Sequence, residues 1–130
     1  NNHKDKFDPL ENGYFGLSNA QLNSPRPKVS SGVEKLQQLC NSMKSLECDA
    51  LFELLQDNVR ASDDMLPETG MPQELEKKLS SIFIHLDDYG TRSSTIMAID
   101  HSHKVFWQER TYDKSALVKN TEKFEFQLQN

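Results

Sequence analysis

The apolar residues of this chain change period part-way along it, and that change constrains the fold more than any other feature. From Ser31 onward Val33, Leu36, Leu39, Cys40 and Met43 recur at spacings of three and four, which gathers them on one face of a helix. Beyond Leu79 the period falls to two, in β-branched and aromatic runs whose successive side chains point to opposite faces of a strand. A helical period followed by a strand period predicts helices laid on one face of an antiparallel sheet, an α+β architecture.

The helical part reads as two elements. Ser31 with Glu34 makes a capping-box pattern for the first. The second covers about Asp49–Val59, with Leu51, Leu54 and Leu55 on one face and Phe52 beside them, and the two form a hairpin layered on the sheet. Ahead of them, Gly13-Tyr14-Phe15-Gly16-Leu17 reads as a short strand and Asn23-Ser24-Pro25-Arg26-Pro27 as a stiff turn. Residues Ala61–Gln73, with Asp63, Asp64, Pro67, Gly70 and Pro72, have the composition of an exposed, mobile loop, and Glu74–Leu79 suits one or two helical turns. Ser81–Leu86, Thr95–Asp100, Lys104–Thr111 and Lys123–Gln129 then predict a meander, with Asp100-His101-Ser102-His103 as a tight link. In its last strand Phe124, Phe126 and Leu128 alternate with Glu125 and Gln127, so the aromatic side is expected to face the core.

Charge and hydropathy narrow the function classes. Fifteen Lys plus Arg against 20 Asp plus Glu leave a net charge of -5 and no basic block to track a phosphate backbone, which disfavours a nucleic-acid partner. Apolar runs such as Ser81–Ile84 and Ile96–Ile99 fall far short of the roughly 20 residues a membrane-spanning helix needs, so no transmembrane segment is expected. Cys40 and Cys48 do not form a Cys-x-x-Cys pair and read as reduced thiols of a cytosolic or organelle-matrix protein. Asn1 is not an initiator Met, and Asn1–Asp8 is a polar lead-in without a signal-peptide pattern, so the chain is expected to be part of a longer protein.

Few residues offer chemistry outright. Gly16-Leu17-Ser18-Asn19-Ala20 has Ala20 where a nucleophile elbow needs its second glycine, which argues against a serine hydrolase. Ser18 and Asn19 are then either strand-end residues bonding the next turn or, for Asn19, a polar site residue. Tyr89-Gly90-Thr91-Arg92 sets an arginine on a turn before a strand, where it could clamp a carboxylate or phosphate or simply pair with Asp87 or Asp88. His101 and His103 could form a metal or haem ligand pair, but no further ligands accompany them, and a solvated turn is the better reading. His85 suits a hydrogen-bonded histidine, Cys40 a packing position beside Met43, and Trp107 and Phe106 opposite faces of one strand. No metal ion is expected.

Four segments together resemble the transport and Golgi organisation protein 2 (NRDE-domain) family: Gly16-Leu17-Ser18-Asn19 with Pro25 and Lys28 downstream, Tyr89-Gly90-Thr91-Arg92 followed by Thr95 and an apolar strand, Glu109-Arg110, and Phe124-Glu125-Phe126-Gln127-Leu128-Gln129. Members of that family normally begin with a cysteine after the initiator Met and then an Asn-Arg-Asp-Glu motif. Neither is present here, so the resemblance places residues 1–130 as the C-terminal part of a single NRDE-type domain whose N-terminal half is missing. It implies part of a four-layer αββα sandwich of the N-terminal-nucleophile-hydrolase kind, with Asn19 as an oxyanion-hole donor, Arg92 as an active-site arginine and no catalytic residue in this chain. Functionally it implies a haem-binding chaperone, a carrier rather than an enzyme, that passes haem to acceptor proteins. The candidate ligand-cleft residues are then Asn19, Tyr89 and Arg92, and the candidate haem ligands His85, His101, His103 and Cys40. The alternative it admits is an acyl-coenzyme A or lipid-handling protein or an N-terminal-nucleophile-type amide hydrolase, and the third a Golgi and secretory-pathway organisation factor. The implied locations are cytoplasmic, mitochondrial or Golgi-associated.

Overall fold

A computed structural model describes residues 9–19 and 22–129; the polar lead-in Asn1–Asp8 and Ala20 lie outside the described residues. Its elements run α1 (Pro27–Ser42), α2 (Cys48–Leu55), a single 3-10 turn (Asp63–Met65), α3 (Gln73–Lys78), β1 (Ser93–Ile99), β2 (Lys104–Tyr112) and β3 (Val118–Gln127). The strands form one antiparallel sheet in the order β1-β2-β3, the predicted meander. The fold is α+β.

Helix α1 starts before the Ser31–Glu34 pattern. Pro27 occupies the first turn, where its fixed φ is already helical and its missing N–H has no partner to lose. Arg26 is the extended N-cap, and its carbonyl accepts the Ser30 N–H at 3.0 Å, so Ser31 and Glu34 fall inside the helix and do not cap it. Helix α2 stops at Leu55, short of the expected Val59. Asp57 leaves the helical path there: its carbonyl takes the Phe83 N–H at 2.8 Å and its carboxylate accepts the Val59 N–H at 3.0 Å and an ion pair from Lys35.

Two expected strands are absent as strands. Residues 81–86 spend their main-chain groups on loops, with the Phe83 N–H going to Asp57 and the Ile84 N–H to the Thr91 hydroxyl at 3.0 Å. Only a single bridge, His85 to Gly90, remains. The Gly13–Leu17 stretch is extended but pairs with no strand. Gly16 closes a loop with Asn23 instead, accepting its N–H at 2.8 Å and donating to its side-chain oxygen at 2.9 Å. A methyl group at Gly16 would lie 2.7 Å from Val29 Cγ1 and 2.8 Å from Val33 Cγ2, so glycine here lets the chain lie directly on α1.

The β1–β2 link is built as the polar sequence suggested, and the β2–β3 link repeats its pattern. Asp100 Oδ1 accepts from the Ser102 and Lys104 N–H groups at 2.8 and 3.0 Å, and Asp113 Oδ1 does the same for Ser115 and Leu117. Strand β3 begins five residues before the expected Lys123, because the polar run from Val118 pairs through its backbone with β2, which requires no apolar side chains.

Register assigns the faces. Ile96 opposes Gln108 and Ala98 opposes Phe106, on the side where the Arg110 guanidinium lies 4.1 Å over the ring of Phe52 in α2 and pairs with Asp49. The core collects Val29, Phe52, Phe83, Ile96, Val105 and Tyr112, with Phe83 and Tyr112 edge to face at 4.9 Å. On the opposite side Met97 opposes Trp107, which opposes Phe124. Val105 is buried on that side between Ile99 and Phe126, but the face is otherwise open: Met97, Ile99, Phe124 and Phe126 are each about half exposed or more, at 58%, 54%, 55% and 49%. The aromatic side of β3 therefore does not face the core within this chain, since the helices cover the other face. Phe106 and Trp107 do lie on opposite faces, as their alternation requires.

Candidate functional site

The apolar faces of α1 and α2 do not close on each other. Between them, the 15–19 segment and the outer edge of β1 runs an open groove of about 730 Å³, walled by Val33, Leu36 and Cys40 of α1 and Leu51, Leu54 and Leu55 of α2. The same i, i+3, i+4, i+7 spacing that builds an amphipathic helix thus lines a cleft on one side of α1 while Val29 enters the core. Polar groups collect at one end, where Ser18, Asn19 and Lys28 form the wall.

Lys28 is the one charged side chain lining this groove among the described residues. Its ammonium donates to the Leu79 carbonyl at 3.1 Å. Burial holds its pKa below the usual lysine value, the positive charge of Arg26 adds to that, and the carboxylate of Glu76 opposes both. Ser18, Asn19 and Lys28 also border a recess of about 70 Å³ closed by Glu76, Ser80 and Arg26. Groove and recess are therefore two sides of one polar wall.

The sequence candidates divide among three places. Asn19 lies at the polar end of the groove. Tyr89 and Arg92 come together with His85 around a separate depression of about 310 Å³. Within it His85 Nε2 lies 3.1 Å from the Lys114 carbonyl, and among the described residues no ion pair joins Arg92 to Asp87 or Asp88. His101 and His103 are exposed on the β1–β2 turn and line neither space. Of the four candidate haem ligands, only Cys40 lines the apolar groove, half-buried with Met43 beside it. No group of three or more His, Cys, Asp or Glu side chains among the described residues could hold a metal ion. Sequence reasoning missed Glu76 altogether, because a glutamate in the charged run Gln-Glu-Leu-Glu-Lys-Lys carries the signature of a solvated helical turn.

A polar-ended groove of this composition fits many small-molecule binders; the sequence decides among families. The family model described as Transport and Golgi organisation 2 matches residues 1–114. The chain belongs to that family. It is 28% identical over 129 residues to the mouse protein named Transport and Golgi organization 2 homolog, an alignment covering 93% of this chain and 47% of the relative. The human and bovine Transport and Golgi organization protein 2 homologs align with the same identity and coverage. The chain thus spans about half the length of the curated family members it matches. No helix among the described residues is long and apolar enough to cross a membrane.

Proposed function

We propose that this chain supplies the ligand groove of a carrier for amphipathic lipids, holding an acyl chain between α1 and α2. One observation carries the reading: the groove lining is largely aliphatic, and apart from Thr95 its polar side chains Ser18, Asn19 and Lys28 gather where the groove meets the recess they also line. A ligand with an apolar tail and a polar head fits that one-ended pattern. Burial of a tail gains about 0.8 kcal/mol per CH₂ before the costs of association, so a partly covered chain is held in the micromolar range or weaker. Such an affinity suits a carrier, which must release what it binds.

Haem is the second reading, and Cys40 favours it: a soft sulfur ligand in an apolar wall, with Met43 one turn away, is a chemically suitable place for haem iron. In either case the cargo passes to an acceptor protein. The open sheet face of Met97, Ile99, Phe124 and Phe126 would then be covered by the remainder of a family-length protein, completing the four-layer sandwich that the family resemblance implies.

The test is displacement of a fluorescent acyl probe. Wild-type protein should bind it in the micromolar range, and Leu54→Asp, which sets a charge in the groove wall, should weaken binding at least about tenfold. Equal binding by both proteins would remove the groove from the site. Haem titration separates the second reading: a shifted Soret band lost in Cys40→Ala supports it, and a band unaffected by that change excludes Cys40 as the ligand.

A further inference from the structure

We infer that the recess behind Lys28 is a head-group site, with Glu76 as its hydrogen-bond acceptor, and that it selects a neutral amide or hydroxyl group over an ester or a carboxylate. This assignment rests on the groove being the ligand site.

Glu76 is only 6% exposed, and its Oε1 is buried without a hydrogen-bond partner. Buried carboxylate oxygens in folded proteins are nearly always satisfied, because leaving one unpaired costs more than a typical hydrogen bond returns. Two neighbours that could satisfy it, Ser80 and Lys28, are engaged elsewhere. The Ser80 hydroxyl donates to the Lys77 carbonyl and accepts from the Ala61 N–H, both at 2.8 Å. The Lys28 ammonium reaches the Leu79 carbonyl at 3.1 Å and makes no ion pair with Glu76 within 4.0 Å, although the two charges interact across the recess.

Glu76, which carries that unpaired oxygen, lines a space of about 70 Å³ that shares Ser18, Asn19 and Lys28 with the apolar groove. A ligand whose tail lies in the groove has its polar end at this wall. Glu76 asks that end for a donor, and Lys28 and Asn19 offer it donors in return. An amide or a hydroxyl group both donates and accepts. An ester only accepts, so it leaves Oε1 unpaired; a carboxylate is drawn by Lys28 and Arg26 but brings no donor and sets a second negative charge beside Glu76.

Four ligands with one tail test this by displacement of the fluorescent acyl probe: lauramide, lauryl alcohol, methyl laurate and laurate. A hydrogen bond to a charged acceptor predicts that lauramide or lauryl alcohol binds about ten- to a hundredfold more tightly than methyl laurate, and the tighter of the two names the head group. In Glu76→Gln the preference should collapse, because the glutamine amide can turn its own donor toward the ester. Equal affinity of wild-type protein for lauramide and methyl laurate would overturn the assignment while leaving the groove intact, as would a preference for laurate. Failure of all four to displace the probe would remove the groove reading and the head-group site together. The wild-type series alone decides the matter if the Gln variant does not fold.

Discussion

Replacing Phe52 by alanine should cost this fold a large part of its stability. Phe52 has no exposed surface and is the residue through which α2 seats on the sheet. Truncating a buried Phe to Ala costs about 3–5 kcal/mol in transfer and cavity terms. The Arg110 guanidinium, 4.1 Å above the ring, adds about 0.5–1 kcal/mol of cation–π attraction that is lost as well. The Asp49 partner of Arg110 is 87% exposed, so the ion pair offsets little of this. The sum, about 3.5–6 kcal/mol, is a large share of the roughly 5–15 kcal/mol available to a domain. For a chain of this size it lowers Tm by about 15 °C or more. Urea denaturation followed by circular dichroism measures it, with Phe52→Leu as the control. Leucine keeps most of the apolar volume and loses only the ring, so its cost should stay near 1–2 kcal/mol. A double-mutant cycle with Arg110→Met should return a coupling of about 0.5–1 kcal/mol. A Phe52→Ala loss below about 1 kcal/mol would refute the placement of α2, and with it one wall of the groove.

Two further outcomes follow from single contacts. Burial would raise the Asp57 carboxyl, but the hydrogen bonds from Lys35 and the Val59 N–H outweigh it and hold the group below its ordinary value. A carboxylate depressed in the folded state stabilises above its unfolded pKa and loses that stabilisation as pH falls through the folded one. The urea midpoint should therefore fall on acidification below about pH 4 more steeply in wild-type protein than in Asp57→Asn; identical slopes would refute this. At Gly90 an added methyl would lie 2.6 Å from the Ile84 carbonyl oxygen, a backbone atom that cannot swing aside, so Gly90→Ala should cost about 1–3 kcal/mol. It should also speed hydrogen exchange at the Thr91 N–H, which bonds the same carbonyl at 2.8 Å; unchanged exchange would show that the turn accommodates the methyl.

The periodic elements were legible in the sequence because each states its face locally. Val33, Leu36 and Cys40 declare a helix by spacing, and the β1–β2 link is spelled out by an aspartate whose carboxylate caps its own turn. What the sequence could not show is set by partners far along the chain. The 81–86 run has strand composition, yet its N–H groups are claimed by Asp57 and Thr91. The aromatic stripe of β3 reads as a core face, but which side of a sheet the helices cover is decided by tertiary packing. For the site, Cys40 and Asn19 were visible and do reach the groove, whereas Tyr89 and Arg92 meet elsewhere. Glu76 stayed hidden because a short polar helix gives no sign that one of its carboxylates is buried.

The groove has a thermodynamic consequence. Its wall includes Val29 and Ile96, side chains that are themselves part of the core, so a tail lying there is in effect additional core. Binding to the folded chain alone adds RT ln(1 + [L]/Kd), about 2.7 kcal/mol at a hundredfold excess over Kd. If the groove carries cargo as proposed, the loaded protein should melt later and resist proteolysis longer than the empty one. The abundance of such a protein would then rise and fall with the supply of its cargo, and the groove would serve as a gauge of that supply as well as a means of moving it.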